Sequence, residues 1–369
     1  MPFWRNKPVT VEPCEKMFLL PRAKLYQMAT TEMQNVIGVT YTMLDLGNPE
    51  HMSTVIVFLY NYYNSAEDHN KFAYTKEIIQ HFIIDTEYIA LLFYVHTEPV
   101  GIVMSARRNL VYKGQRISAC ENNFLAVIQK YRKRGVNAFM MNALTKECVQ
   151  RWPVDCAMYT VSKTLPVRYY TSKSVYIKPI NIPMFKKCTI LNNYTPITNT
   201  TSNSQKVIKF IRNNHFENEY YKNMTRKVNE YSQANYLMYF LRSVQEIRDT
   251  FCNKSMYAFV ATSNGEITDY VSFSVVPLRN SSGITCRCGY FYTHFFEHGS
   301  DKLQLLDNIH KIVYDLDLFD LATYIDPFGY TVDQYNQYGI VCTSGKLNYY
   351  AYNLCTTRLS PGQVGLYTL

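Results

Sequence analysis

Apolar positions in the first half of the chain follow two spacings, which predict a mixture of strands and helices. Alternating or continuous runs rich in aliphatic and aromatic residues are typical of strands, whereas apolar residues three or four positions apart are typical of a helix. Strands are predicted at 88–96, 100–108, 116–128 and 156–162, and helices at 50–64 and 129–149.

The second half of the chain repeats this alternation. Residues 255–276 form a predicted hairpin, because two alternating runs are separated by Asn264-Gly265, a pair typical of a tight turn. Further strands are predicted at 288–296, 319–326, 346–354 and 364–369, and a helix at 301–316. Between the halves, residues 194–205 are rich in Thr, Asn and Ser and predict a linker.

This pattern predicts an α+β protein of two tandem α/β halves built around mixed β-sheets, at 1–195 and 205–369. The composition agrees with a folded chain, since 47% of the 369 residues are hydrophobic and only 18% are charged. The formal net charge of +9 favours phosphate-bearing partners without choosing among them.

Neither an amino-terminal signal segment nor a membrane span is expected. The start "MPFWRNKPV" has no apolar core, and the run 88–95 is far shorter than the ~18 residues of a span. We therefore expect a cytoplasmic protein whose ten cysteines are reduced thiols. The cysteine spacings match no zinc signature, so no metal site is expected.

The sharpest local signal is the basic stretch before the helix in the first half. Arg132, Lys133 and Arg134 precede Gly135 at the predicted helix start. Free backbone N–H groups and the helix dipole favour an anion there, and glycine lets the backbone approach it closely. The stretch therefore predicts a phosphate-binding turn, although a solvated basic turn fits the local sequence equally well.

The chain ends on apolar residues and not on a polar tail. Val364, Leu366 and Leu369 alternate in a strand-like segment. Termini are usually polar and frayed, so this segment predicts a last strand that holds the terminal carboxylate among buried residues.

Six segments, taken in order, resemble the N-myristoyltransferase family of the GNAT-like superfamily. The closest are "ENNFLAV…YRKRGVNA" with the family's NFLCVHKxLRSKRLAP and "NGEITDYVSF" with its NGxVTDFxSF. The others are "PFWRNKPV" with FWxTQPV, "GVTYTMLDLG" with GFxWxxLDL, "MYTVSKTLP" with YTAGxxLP, and "SGKLNYYAYN…VGLYTL" with DGxLxYYLYN…VGLVLQ.

The resemblance implies an enzyme that moves a tetradecanoyl group from its CoA thioester to the amine of an N-terminal glycine. It implies two GNAT-like halves with pseudo-twofold symmetry, the first binding acyl-CoA and the second binding the peptide. Myristoyl-CoA would be the acyl-donor substrate, with no permanently bound cofactor. The expected partners are proteins that begin with glycine, with no nucleic acid, and the expected state is a monomer.

The resemblance also implies roles for individual residues. The backbone amides of Phe124 and Leu125 would form the oxyanion hole, Asn123 and Thr160 would orient the glycine amine, and the carboxylate of Leu369 would be the base. Phe3 and Trp4 would fold over the CoA, and the phosphates would bind Arg132, Lys133, Arg134, Gly135, Val136 and Asn137. The peptide would contact Phe72, Tyr74, Tyr169, Gly345 and Leu347, the last two in a turn.

A base is chemically necessary for this reaction. A peptide amine has a pKa of ~7.7–8.0, is mostly protonated at neutral pH, and cannot attack a thioester in that form. A free terminal carboxylate, at ~3.3–3.7, is a poor base, but burial against apolar neighbours raises its pKa. One added residue would move the carboxylate by ~3.3 Å along a strand, as far as the reach of a hydrogen bond.

Departures from the family bear on substrate choice. Its acidic run is reduced here to Glu67 and Asp68, which predicts a weaker preference for basic residues downstream of the glycine. One alternative is another GNAT-type acyl-CoA transferase with a different acyl chain or amine acceptor. A nucleic-acid-binding protein is a second alternative, although the basic residues are dispersed outside the turn.

Overall fold

The computed structural model describes residues 4, 7–9, 16–34, 38–64, 70–188, 206–212 and 216–366. Most of the elements predicted from the apolar pattern are present with the predicted type, and the α+β class is confirmed. The predicted linker at 194–205 lies outside the described residues.

The helices and strands are numbered in chain order. The helices are α1 Arg22–Met33, α2 Pro49–Tyr62, α3 Lys76–Phe82, α4 Val136–Arg151, α5 Ile182–Lys187, α6 Asn218–Asn235, α7 Val244–Cys252, α8 Lys302–Asp315 and α9 Val332–Asn336. The strands are β1 Val39–Met43, β2 Asn70–Phe72, β3 Tyr88–Val95, β4 Glu98–Tyr112, β5 Gln115–Val127, β6 Cys156–Val161, β7 Thr171–Pro179, β8 Val207–Ile211, β9 Met238–Phe240, β10 Met256–Ser263, β11 Glu266–Asn280, β12 Thr285–Phe295, β13 Leu321–Ile325, β14 Val341–Tyr352 and β15 Val364–Gly365.

The described residues form two compact units whose segments are interleaved along the chain. The first unit comprises those within 1–68, 86–172 and 347–359, and the second those within 69–85, 173–346 and 360–369. Among the described residues, no helix combines the length and the apolar character needed to cross a membrane.

The first unit is a mixed sheet covered by α4. Its strands lie in the order β1, β3, β4, β5, β6 and the end of β14. Neighbours are antiparallel except β5 and β6, which are parallel. Buried residues of α4, among them Phe139, Met140 and Leu144, pack against Leu91 and Phe93 of β3. The helix is therefore held by its apolar face.

Helix α4 begins later than the apolar spacing predicted. A short 3-10 turn at Gln129–Tyr131 follows β5, and the α-helix starts only at Val136. The reason is backbone geometry: Lys133 and Gly135 have φ angles of 64° and 81°, which lie in the left-handed region and interrupt a right-handed helix. The basic residues thus form a turn in front of the helix.

The second unit has its own mixed sheet, in the order start of β14, β7, β13, β12, β11, β10 and β8. Strand β2 pairs with β11, and the short β15 pairs in parallel with β9. The predicted hairpin is β10–β11, with Asn264 at φ 52° and Gly265 at φ 82°. Positive φ at both turn residues is what a type I′ hairpin requires.

The two units repeat one order of elements. In the first, the antiparallel pair β4–β5 is followed by α4 and then by β6, parallel to β5. In the second, β11–β12 is followed by α8 and then by β13, parallel to β12. The two units therefore share this order of elements.

A buried histidine lies at the centre of the aromatic core of the second unit. The ring of His294 is 4.6 Å from that of Phe291 and 5.4 Å from that of Phe296. Its Nδ1 is 3.4 Å from the carbonyl oxygen of Tyr292, which can only accept, so Nε2 accepts from the Tyr236 hydroxyl at 2.9 Å. Burial lowers the pKa of His294 to about 3, with Lys302, Lys173 and Arg242 adding repulsion.

Acid should therefore destabilise the second unit through His294. The unfolded chain binds this proton below pH ~6.5 but the native state only near pH 3, so the contribution of this group is full above pH 6.5 and falls as the pH approaches 3. We expect the free energy of unfolding to fall by about 2 kcal/mol more between pH 7.5 and pH 4.5 than in His294→Gln, whose amide still accepts from Tyr236. Urea unfolding at both pH values measures this, and equal pH dependence in the two proteins would contradict it.

Candidate active site

Strands β5 and β6 separate soon after they meet, and this opens the sheet of the first unit. They pair in parallel over three positions, Ala119–Glu121 with Cys156–Met158. Strand β5 then continues to Val127 beside β4, while β6 continues to Val161 beside β14. The residues after the separation include Asn123, Phe124 and Leu125 on one strand and Thr160 on the other, so all four predicted site residues of this region border the opening.

A bulge in β5 follows the separation. The register against β4 shifts between Met104, opposite Asn123, and Ile102, opposite Ala126, so Phe124 and Leu125 face the single residue Val103. Phe124 has a φ of 54°, rare for a bulky residue and a sign of local strain. Its ring is fully buried, whereas Leu125 is 38% exposed. A bulge of this kind turns backbone N–H groups out of the ladder.

The predicted oxyanion-hole pair lies at this bulge, but one of its donors is occupied. The N–H of Phe124 donates to the side-chain oxygen of Asn123 at 2.8 Å. A thioester oxygen can use this donor only if the Asn123 side chain turns away. Thr160 lies on β6 opposite Tyr349 of β14.

The predicted phosphate turn combines exposed basic side chains with one arginine that is tied to the backbone. Arg132 is tethered, because its Nε donates to the carbonyl of Val127 at 2.9 Å and its Nη2 to that of Tyr62 at 3.3 Å. Lys133 and Arg134 are exposed beside Gly135, the N-cap of α4. Asn137, in the first turn of α4, is exposed as well, and Val136 is buried.

The start of α4 is free for an anion. No side chain caps it, and its first turn holds no acidic residue. The first N–H groups of a helix lack partners within it, so they are available here to a phosphate. Lys130 differs from its basic neighbours, since its Nζ is 2.8 Å from Glu98 and its charge is already paired.

Two adjoining cavities lie between α4 and strands β5 and β6. The free space is about 310 Å³ at the first and about 340 Å³ at the second, and each volume includes space open to solvent. Both are lined by Asn122, Thr145, Ala157 and Tyr352. The first is otherwise mainly apolar and includes three thiols, with the lining residues Leu25, Cys120, Leu144, Cys148, Val149, Val154, Asp155 and Cys156.

The second cavity is bordered by the amino-terminal residues. The Trp4 ring stacks on Tyr159, with centroids 6.3 Å apart and an interplanar angle of 15°. Lys7 is buried; it forms an ion pair with Glu32 of α1 and donates to the side-chain oxygen of Asn142 of α4 at 2.6 Å. Burial lowers the pKa of Lys7, and the Glu32 carboxylate opposes that shift. Sequence reasoning missed Lys7, whose partners are 25 and 135 residues away.

The residues predicted to bind peptide fall in both units. Phe72 and Tyr74 belong to the second unit; their rings are 5.6 Å apart, and Phe72 is 6.3 Å from Tyr290. Tyr169 belongs to the first unit, where its ring is 6.2 Å from Tyr350 and the Arg358 guanidinium is 5.6 Å from its centre.

Gly345 and Leu347 lie within the continuous strand β14, so the turn expected there is wrong. The Gly345 N–H donates to the hydroxyl of Thr343 at 3.0 Å, and that hydroxyl donates to the carbonyl of Val175 in β7 at 2.9 Å. This second bond holds the segment against β7 and explains why it stays extended.

The terminal segment is held in place up to Leu366, the last described residue. Leu369 and Phe3 lie outside the described residues, as do Glu67 and Asp68. Val364 and Leu366 are buried in the second unit, at 0% and 1% exposed. Val364 pairs with Met238 of β9, so the predicted last strand is present over Val364–Gly365.

A family model matches the part of the chain that carries most of these features. Residues 21–172 match the family model described as "Myristoyl-CoA:protein N-myristoyltransferase, N-terminal domain". This range contains the bulge, the basic turn and most of the cavity lining. No curated protein matches the chain by sequence.

Solved structures of Saccharomyces cerevisiae N-myristoyltransferase resemble the whole chain. One with bound myristoyl-CoA aligns with a TM-score of 0.76 and 16% identity over 100% of this chain and 99% of the yeast chain. A second with bound myristoyl-CoA has a TM-score of 0.77 and 16% identity, over 100% and 94%. A third, with myristoyl-CoA and inhibitors, gives 0.76 and 16%, over 100% and 96%. The match over residues 21–172 relates this part of the chain to the N-terminal domain of N-myristoyltransferases, and the whole chain has the fold of the yeast enzyme.

Proposed function

We propose that this protein transfers the tetradecanoyl group of myristoyl-CoA to the N-terminal glycine amine of proteins. The observation that carries the proposal is that the first unit contains a bulge in β5, a basic helix start without a side-chain cap and a mainly apolar cavity between α4, β5 and β6. These match the three parts of an acyl-CoA, namely its thioester carbonyl, its phosphates and its acyl chain.

The order of these features along the chain suggests how the acyl-CoA would be oriented. The bulge at Phe124–Leu125 is followed by the turn at Arg132–Gly135 and then by the start of α4. With the CoA phosphates at the helix start, the thioester would reach the bulge. There the N–H of Leu125, and that of Phe124 once Asn123 has moved, would stabilise the developing oxyanion. One such donor is worth ~10²–10³ in rate.

The acyl chain would occupy the two adjoining cavities. At ~0.8 kcal/mol per buried methylene, a tetradecanoyl chain gains on the order of 10 kcal/mol before entropic costs. The thiols of Cys148 and Cys156 suit this environment, because burial raises the pKa of both and keeps them uncharged. Myristoyl-CoA would thus be a substrate held by shape and charge, and no resident cofactor is needed.

The terminal carboxylate of Leu369 would take the proton from the incoming ammonium. What supports this step is the anchoring of the chain just before it, with Val364 paired to β9 and Leu366 buried. Asn123 and Thr160 would orient the amine. Phe72, Tyr74 and Gly345 of the second unit would contact the peptide, as would Tyr169 and Leu347, which belong to the first.

The central test is acyl transfer by the full chain. Mass spectrometry of a glycine-initiated peptide incubated with myristoyl-CoA should show one added tetradecanoyl group on the amine. A single alanine added after Leu369 should lower kcat at least 100-fold, because it moves the carboxylate by ~3.3 Å and general-base catalysis is worth ~10²–10⁴.

The matched control for the added alanine is Leu369→Met, which keeps both the chain length and the terminal carboxylate. We expect its kcat to stay within about threefold of wild type, since general-base catalysis needs only the carboxylate in place. Full activity in the extended protein would rule out the carboxylate as the base.

Removing the mobile charge of the phosphate turn should weaken CoA binding. We expect Lys133→Ala combined with Arg134→Ala to raise the Kd of CoA about 10- to 100-fold and to reduce its dependence on salt, because exposed charge pairs are screened. Calorimetric titration measures both effects.

Lys130→Ala is the control, because that ammonium is already paired with Glu98 and should change the Kd less than threefold. Pantetheine, which lacks the phosphates, should bind the double variant and wild type equally. An equal loss for pantetheine would show that the turn does not hold phosphate.

Filling the cavities should change acyl-chain selectivity. Ala157 lines both cavities, so Ala157→Leu should exclude about two methylenes and lower kcat/KM for tetradecanoyl-CoA about tenfold relative to decanoyl-CoA. Ala138→Leu adds the same volume to α4 at a position that lines neither cavity and should leave the ratio unchanged. An unchanged ratio in Ala157→Leu would place the acyl chain elsewhere.

A further inference from the structure

Lys173 is a fully buried lysine at the start of β7 in the second unit, and the proposed chemistry does not use it. Its side chain is 0% exposed. The ammonium donates to the carbonyl oxygen of Val364 at 2.6 Å and approaches that of Asp326 at 3.3 Å. One of its contacts is therefore to the backbone of the terminal strand.

Burying a lysine at this position is energetically unfavourable, so we expect strong compensating interactions. Transfer of an ammonium from water to the protein interior is unfavourable unless strong hydrogen bonds compensate. Burial lowers the pKa of Lys173 to about 8, although the nearby Asp326 carboxylate opposes the shift. The protonated form still prevails at neutral pH, and a charged donor gives a shorter and stronger bond than a neutral one.

The strand that Lys173 contacts is short. Strand β15 comprises Val364 and Gly365 and pairs with β9. The N–H of Leu237 donates to the carbonyl of Gln363 at 2.8 Å, just before it. On Gly365 the Tyr236 ring packs so closely that a Cβ there would lie 2.3 Å from it. A neighbouring strand, an aromatic ring and an ammonium therefore all contribute to holding it.

We propose that Lys173 is a positioning residue for the chain end: by bonding to the Val364 carbonyl it fixes the strand from which the terminal carboxylate of Leu369 extends. The inference rests on the proposed role of that carboxylate as the base. Positioning matters because a base must lie within ~2.6–3.2 Å of the amine, and a frayed strand spends little time at that distance.

The test compares two buried lysines of the same strand. Lys173→Met removes the anchor of the terminal strand, whereas Lys178→Met is the matched control, because Lys178 is also buried in β7 but donates to the carbonyl of Tyr338 at 2.7 Å. For folded protein at saturating peptide, we expect Lys173→Met to lower kcat at least tenfold with the KM for myristoyl-CoA within twofold. Lys178→Met should change neither by more than about twofold.

A double variant separates positioning from general damage. If Lys173 acts through the chain end, its loss should add nothing to the defect of an alanine added after Leu369, because residues acting as one unit are not additive. Hydrogen exchange should also show faster exchange at the amides of 364–366 in Lys173→Met than in Lys178→Met. Lys173→Gln keeps an N–H donor and should retain part of kcat, and it provides the same comparison if the methionine variant fails to fold.

The outcomes distinguish a failure of the proposed function from a failure of the role of Lys173 alone. Wild-type protein that transfers no acyl group, or that is indifferent to the added alanine, overturns the proposed function and the inference together. Wild-type protein that is active and sensitive to the added alanine, combined with a Lys173→Met variant that behaves like Lys178→Met, overturns only the role of Lys173. Multiplicative defects in the double variant also overturn it.

Discussion

The separation of β5 from β6 after three paired positions is the constraint on which the first unit depends. A strand β5 that stayed paired with β6 would consume the backbone groups at the bulge. The left-handed φ of Phe124 is the cost of this separation, and its fully buried ring stabilises the strained backbone. The bulge lies just beyond the paired positions, and the basic turn follows it along the chain.

The sequence predicted the repeated order of elements because each strand and helix has a local apolar period that packing then uses. It also located Asn264-Gly265, where the turn chemistry is local. The apolar spacing placed the start of α4 too early, because it carries no information about the left-handed backbone at Lys133 and Gly135. It missed the anchors Lys7, His294 and Lys173, because each depends on partners far along the chain that only the fold brings together.

These missed residues share a physical property: each is a buried polar side chain whose burial lowers its pKa. An apolar side chain would fill the same space at less cost, but it would not select one arrangement of the backbone around it. Lys7 joins the amino-terminal residues to α1 and α4, and Lys173 joins the terminal strand to β7. Described segments near each end, at Lys7 and at Val364, are therefore held by hydrogen bonds with directional geometry.

Because the two units repeat one order of elements, the place proposed for the chemistry in the first unit has a counterpart in the second, and the two differ. In the second unit β12 and β13 also pair over three positions, but the space beyond holds the rings of Phe291 and Tyr324, 5.4 Å apart. The helix that follows, α8, is capped by Asp301, whose carboxylate accepts from the Gln304 N–H and repels an anion. The Lys302 ammonium at its start lies 5.3 Å from the centre of the Phe328 ring. The helix start is therefore exposed, basic and without a side-chain cap in the first unit and capped in the second, which is why the phosphates are proposed to bind at the first.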